Sequence, residues 1–335
     1  MSMPVISYCP GTLAGGFDTY STTCLKRMYQ GKKVSHILPY KSPRVSEEDD
    51  GRFRVNRTFI AISGVQEKLS FTLDKNKLRL TGEGKQGTYL VKPIPRDLRK
   101  SDQVPANEHL TMQIARQVYG IPTAENALIF FESGEPAYIT KRFDVKEDGS
   151  KRGKEDFASL AGMTAENAGQ DFKYATSYEE MGELLVHFVP AHRIEIEKLF
   201  KLIVFNYLFS NGDAHLKNFA VVETQNGDYV LSPAYDLINT RIHVDDADFA
   251  PDRGLFRDGY QSNVMQKRGS AGLEDFRELA RRFHISENRR EKLLEPFLVK
   301  QEGVESLIQR SFLSDAVKRG YLLDYETRRN WLRAV

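Results

Sequence analysis

Asn211-Gly212-Asp213-Ala214-His215-Leu216-Lys217-Asn218 is a polar stretch that directly follows a segment, 196–209, whose apolar residues recur at helical spacing. The Asn-Gly-Asp run is a strong stop signal, so the stretch reads as a loop at the end of a buried helix. A strand-like run at 219–222 comes next, then Ser232-Pro233-Ala234-Tyr235-Asp236-Leu237. Phosphoryl transfer asks a protein for positioning and charge neutralisation more than for covalent help. A carboxylate must take or orient the hydroxyl nucleophile, and an amide with a second carboxylate must hold magnesium against the phosphates. An Asp-x4-Asn loop followed one hairpin later by another Asp meets that requirement. Asp213 would be the base, with Asn218 and Asp236 the metal ligands. Each of these residue types also suits turns and caps when taken singly. Their order is what points to the chemistry.

Upstream, residues 88–92 form a short strand-like run ending in Lys92, suited to reach the α- and β-phosphates of a nucleotide. An exposed strand-end lysine is the plainer alternative. Apolar residues Leu110, Ile114 and Val118 share one face of a helix expected over 107–119, which Gly120 and Pro122 close. Glu108, early in that helix, suits either an ion pair with Lys92 or the helix N-terminus alone. Gly82-Glu83-Gly84-Lys85-Gln86-Gly87 matches Gly-x-Gly-x-x-Gly, but it lies just before Lys92 with no helix after it, so it reads as a hairpin turn. The better phosphate loop is Ser63-Gly64-Val65-Gln66-Glu67-Lys68, where a glycine permits close approach of backbone N–H groups to an anion. His215 and Lys217 would either steady a phosphate or hold the loop itself.

Strand-like runs at 59–63, 68–73, 78–80, 88–92, 127–131 and 137–143 surround that one helix, and the chain beyond Lys154 is mainly helical. The reading is α+β: an N-terminal extension over 1–57, a small β-rich lobe over 58–143, and a larger helical lobe over 144–335. With 335 residues, two lobes about a cleft are a better prior than one core. Net charge is +2, which supplies no global basic field for nucleic acid; a charged stretch at 281–292 is a local candidate, or a solvated helix face. Cys9 and Cys24 lack neighbours at metal-ligand spacing and read as reduced thiols. No run approaches the roughly 20 apolar residues of a membrane helix, and the N-terminus lacks leader-like patterning, so a cytoplasmic, membrane-free protein is expected.

The assembled motifs resemble the HipA family of bacterial serine/threonine kinases. They run in the family's order: Ile62-Ser63-Gly64-Val65-Gln66-Glu67-Lys68-Leu69, Tyr89-Leu90-Val91-Lys92-Pro93, Asn107-Glu108, Thr140-Lys141-Arg142-Phe143-Asp144 with Glu155-Asp156-Phe157, the 211–218 loop, and Pro233-Ala234-Tyr235-Asp236. The opening Cys9-Pro10 and the region 20–38 are similar to the short, HipT-like members. The resemblance implies a two-lobed protein-kinase-like fold that binds ATP and Mg2+ between the lobes. The strand carrying Tyr138, Lys141 and Phe143 would serve as hinge to the adenine.

It further implies a toxin that phosphorylates an aminoacyl-tRNA synthetase and halts translation, the tryptophanyl enzyme for short members and the glutamyl one for long members. The implied partners are a small antitoxin equivalent to the N-terminal subdomain of long members, which the short length implies is missing, and a helix-turn-helix protein through which DNA is contacted indirectly. The family silences itself on a phosphate-loop serine. Ala61 stands at one such position and Ser63 at the second, which makes Ser63 the expected autophosphorylation site. Two other classes stay open on the residues alone: a small-molecule kinase of the aminoglycoside or choline type, and a non-catalytic, kinase-shaped module of a repressor complex.

Overall fold

The computed structural model describes residues 5–43, 67–82, 85–96, 98–146 and 148–334. The strand expected over 59–63, the phosphate-loop residues Ser63, Gly64, Val65 and Gln66, and Ala61 lie outside them.

Helix α1 (Thr22–Tyr29) begins at Ser21, whose hydroxyl accepts the Cys24 N–H, and ends on Gln30 in the left-handed region. Strands β1 (Ile37–Leu38), β2 (Leu69–Asp74), β3 (Lys77–Leu80), β4 (Tyr89–Lys92), β5 (Asn126–Phe131) and β6 (Pro136–Lys141) form one sheet in the order β1-β5-β6-β4-β2-β3. All neighbours are antiparallel except β1 and β5, where Ile37 and Leu38 lie beside Phe130 and Phe131.

The period-2 alternation of strand side chains divides this sheet into two apolar faces. Val91, Ala127, Ile129, Phe131 and Ile139 pack on one side with Tyr20, Met28 and Tyr29. Two long-range bonds fix that cover, from the Tyr20 hydroxyl to the Leu128 carbonyl at 2.7 Å and from the Tyr89 hydroxyl to the Met28 carbonyl at 2.6 Å. Residues 5–43 thus supply both a cover and an edge strand for the sheet.

Leu128, Phe130 and Tyr138 face the other way, into the larger core. Helix α2 (Val104–Gln117) lies there, starting three residues earlier than the apolar spacing predicts because Pro105 suits a first turn. Most of its residues are buried, since it is covered by the sheet on one side and by the helical lobe on the other. The Thr111 hydroxyl meets the Tyr321 hydroxyl at 2.8 Å, and Tyr119 stacks on Phe297 at 4.8 Å between centroids.

The second lobe contains helices α3 (Tyr178–Phe188), α4 (His192–Leu208), α5 (Leu273–Arg282), α6 (Glu287–Leu298), α7 (Glu302–Arg310) and α8 (Asp315–Arg333). A small sheet of β7 (Lys154–Asp156), β8 (Ala220–Glu223) and β9 (Tyr229–Leu231) completes it, in that order. This is the expected α+β, two-lobed architecture. Among the described residues no helix is long and apolar enough to cross a membrane.

Because α2 fills the seam between lobes, truncating its fully buried Leu110 to Ala should cost about 2–5 kcal/mol, the usual range for a core leucine. Urea denaturation followed at both far-UV circular dichroism and intrinsic fluorescence should show the two signals shifting together.

Candidate active site

Helix α4 stops where its sequence turns polar. Ser210 takes the left-handed conformation (φ 52°), and the N–H groups of Ser210 and Asn211 bond back to the carbonyls of Tyr207 and Asn206. This closing turn throws residues 211–218 out of the helix toward the sheet. Three side chains then hold the loop. Tyr178 donates to the Ala214 carbonyl at 3.0 Å, Tyr235 to the Lys217 carbonyl at 2.8 Å, and the Gly212 N–H donates to the Thr240 hydroxyl at 2.9 Å. Gly212 is required by space, because a Cβ there would sit 2.4 Å from Cβ of Asp246 and 2.6 Å from the Ala247 carbonyl oxygen.

The loop forms one wall of a cleft of about 530 Å3 between the lobes. Of the site residues expected from sequence, Lys68, Lys92, Lys141, Phe143, Asp213, His215, Lys217, Asn218 and Asp236 line it. Tyr138 does not. It is buried, with the Lys92 Nζ 5.4 Å from its ring centroid, and is not part of the cleft lining. Glu67 is half-buried just ahead of β2. Seven cations (Lys68, Lys92, Lys141, Arg142, Lys154, Lys173, Lys217) against four aspartates (Asp144, Asp156, Asp213, Asp236) give the lining a positive excess suited to a polyanion.

Lys92 is the centre of the electrostatics. Its Nζ lies 2.7 Å from Glu108 Oε1 and 2.5 Å from Asp236 Oδ1, with the lysine and glutamate side chains almost wholly buried. The ion-pair alternative for Glu108 is therefore the geometry found, and the residue sits beyond the first turn of α2. Burial alone would discharge Lys92, but the two carboxylates raise its pKa above the ordinary lysine value. Burial would also push Asp236 up; the charges of Lys92 and Lys68 and the hydrogen bond from Lys92 instead hold it well below the usual carboxylate range. Glu108 is raised, chiefly by desolvation, with Asp236 adding to it while Lys92 opposes.

Asp236 is a non-glycine residue at φ 57°, a costly conformation that persists only where its surroundings fix it. Asn107, next to Glu108, supplies part of that hold. Its amide donates to the Asn239 carbonyl at 2.8 Å and accepts from the Asn239 N–H at 3.2 Å, and it also meets His243 Nε2 at 2.9 Å.

Asn218 faces Asp236, its amide nitrogen 3.5 Å from Oδ2, while its Oδ1 accepts the His215 N–H at 3.1 Å. Asp236 Oδ2 and the Asn218 amide oxygen are hard donors of the kind magnesium takes alongside phosphate and water oxygens; the residue types fit that ion once the Asn218 amide turns its oxygen, here on the His215 N–H, toward Asp236. Asp213 projects from the loop half-exposed; desolvation at the cleft wall raises its pKa above the ordinary aspartate value, with Asp236 adding to the rise and Tyr174 and Lys173 opposing it. His215 is pushed down to about 4, mainly by burial with Lys173 next, and is neutral near pH 7.

Two cleft residues, Lys154 and Lys173, and the neighbouring Tyr174 carry no mark in the sequence reading. Lys154 lies over the rings of Phe143 and Tyr235, and Lys173 and Tyr174 come from the short turn Phe172–Tyr174. Lys154 stands just before the Glu155-Asp156-Phe157 motif and could have been found from it. The turn carries no periodic signal at all.

A model of the HipA-like C-terminal domain matches residues 60–303. The chain belongs to that family. Among curated relatives, a Haemophilus influenzae protein named as an inferred kinase is 27% identical over 187 residues, 54% of this chain and 52% of its own. The inferred kinase Y4dM of Sinorhizobium fredii is 32% identical over 212 residues, 59% of this chain and 49% of its own. The chain spans about half the length of the curated relatives it matches. Of solved structures, a chain of the Shewanella oneidensis toxin–antitoxin complex of HipA, HipB and operator DNA has a TM-score of 0.61 at 19% identity, over 87% of this chain and 70% of that one. The Helicobacter pylori proinflammatory kinase CtkA has a TM-score of 0.50 at 16% identity, over 78% of this chain and 93% of that one. At such identities the likeness shows the fold, that of a two-lobed HipA-like kinase.

Replacing Lys92 with Met would leave Glu108 and Asp236 without their shared cation, at a cost of about 3–5 kcal/mol near pH 7. The wild type, with Asp236 depressed, keeps that contribution above the unfolded carboxylate range and loses it as pH falls through the folded value. At pH 5 the wild-type Asp236 is still ionised and its contribution is intact, whereas in the variant the unpaired carboxylates take up protons and relieve their burial. Thermal melts at pH 7 and pH 5 should therefore show the deficit of the variant against wild type narrowing at pH 5.

Proposed function

We propose that the chain is a magnesium- and ATP-dependent protein serine/threonine kinase, acting as the toxin of a toxin–antitoxin system. The observation that carries this reading is the convergence of Lys92, Asp236, Asn218 and Asp213 on one cationic cleft between the lobes. Magnesium, held by Asp236 Oδ2 and the Asn218 amide oxygen, would neutralise charge on the transferring phosphate. Lys92, fixed by Glu108, would exchange its contact with Asp236 for phosphate oxygens of ATP, with Lys68 and Lys217 adding positive charge around them. Lys141 and Phe143, at the end of β6 and just beyond it, would border the adenine, with Tyr138 buried beside Lys92.

Asp213 would receive the proton of the acceptor hydroxyl as its oxygen bonds to the γ-phosphorus and the bond to ADP breaks. Its raised pKa brings it closer to the operating pH of a general base, and its exposure leaves it reachable by a protein side chain. The His215 ring, neutral and buried, packs the loop beneath it.

The acceptor favoured by resemblance to the short members of the family is tryptophanyl-tRNA synthetase, with the glutamyl enzyme next; phosphorylation would inhibit translation. Ser63 is the proposed autophosphorylation site. A HipA of similar fold is found with HipB and operator DNA, which supports a DNA-binding antitoxin as partner; resemblance to the short family members adds a small second antitoxin, with DNA contacted through the helix-turn-helix partner. The proposed setting is the cytoplasm.

Incubation with γ-labelled ATP, magnesium and a panel of aminoacyl-tRNA synthetases should place label on one synthetase. Asp213→Asn should lower that transfer about 100-fold or more, the usual range for a lost general base. Label on a small acceptor and on no protein would instead make this a metabolite kinase.

A further inference from the structure

The loop that precedes α3 brings Lys173 to the cleft wall and is latched to the segment at 252–253. The Asp252 N–H donates to the Tyr174 carbonyl at 2.9 Å and the Arg253 N–H to the Thr176 carbonyl at 3.2 Å. This places the Tyr174 hydroxyl 2.8 Å from Asp213 Oδ1, to which it donates. The tyrosine ring is itself held. It packs T-shaped with the His215 ring at 5.2 Å between centroids, and Lys173 Nζ lies 4.8 Å from its centroid.

Asp213 needs such a hold. Its side chain is half-exposed, and His215 Nε2 lies 3.8 Å from Oδ1, beyond hydrogen-bond range. Without a donor the carboxylate would rotate, and a general base works only when one oxygen is aimed at the incoming proton. A donor on Oδ1 leaves Oδ2 for the acceptor. We propose that Tyr174 is a positioning residue for phosphoryl transfer, orienting Asp213 through the hydrogen bond to Oδ1 so that Oδ2 faces the acceptor hydroxyl. The inference rests on the kinase reading above.

The test is Tyr174→Phe, which keeps the ring and removes the donor. Melting temperature and KM for ATP should stay at the wild-type values while kcat falls about 10-fold or more, as expected for a lost hydrogen bond to a charged group. Charged and titratable groups near Asp213, besides Tyr174, are Lys173, Tyr178, His215, Asp236 and Asp246, and the variant retains all of them. Loss of the tyrosine donor alone should therefore raise the Asp213 pKa and move the acidic limb of the kcat profile to higher pH.

A kcat equal to wild type, a KM change without a kcat change, or phosphate found on Tyr174 itself would overturn the inference. A second readout needs no acceptor: the titration of the Asp213 carboxyl carbon followed by NMR in wild type and variant. An unchanged midpoint overturns the inference whatever the acceptor is. A midpoint that moves up in the variant, in a wild-type protein that transfers no phosphate, supports the hydrogen bond and counts against the kinase reading alone.

Discussion

One buried lysine organises this molecule. Lys92 reaches from the sheet to Glu108 on the inter-lobe helix and to Asp236 on the loop that follows β9 in the second lobe, so a single ammonium ties three elements together. A charge so placed is expensive to desolvate, and two carboxylates repay that cost only while their geometry is kept. The surroundings keep it. Asn107 fastens the helix to Asn239, three residues beyond Asp236, and Asp236 is held in a left-handed conformation that an aspartate rarely adopts.

The sheet buries one face under α1 and Tyr20 and gives the other to α2, and Lys92, paired with Tyr138 across the strands, lies on the side that faces α2. The catalytic-type loop needs separate support, since it has left the helix and is not yet in a strand. Tyr178, Tyr235 and Thr240 provide it from three directions. Rigidity of that kind is what phosphoryl transfer asks of a protein that does little covalent chemistry itself.

Much of this was legible in the sequence, because the signals were local. A buried apolar helix interrupted by Asn-Gly-Asp marks a loop whatever the fold, and Lys92 at the end of an alternating run marks a strand end. Glu108 was ambiguous by spacing and was resolved by distance. Tyr138 is buried outside the cleft lining: residue 138 lies opposite Lys92 in the strand register and shares its side of the sheet, with its ring beside the lysine ammonium. The edge strand at Ile37–Leu38 was illegible because two residues pairing with a strand some ninety positions away leave no periodic trace. Tyr174 belongs to the same class, since its meaning depends on a contact with Asp213 across 39 positions of chain.

The central claim is that Lys92 and Asp236 form the floor of a nucleotide site, and a crystal structure with magnesium and a non-hydrolysable ATP analogue tests it most directly. The account predicts the triphosphate in the inter-lobe cleft, Lys92 still on Glu108 but shifted from Asp236 to phosphate oxygens, and the metal on Asp236 and Asn218. Nucleotide bound elsewhere, or bound in the cleft with the metal away from Asp236 and Asn218, would contradict it.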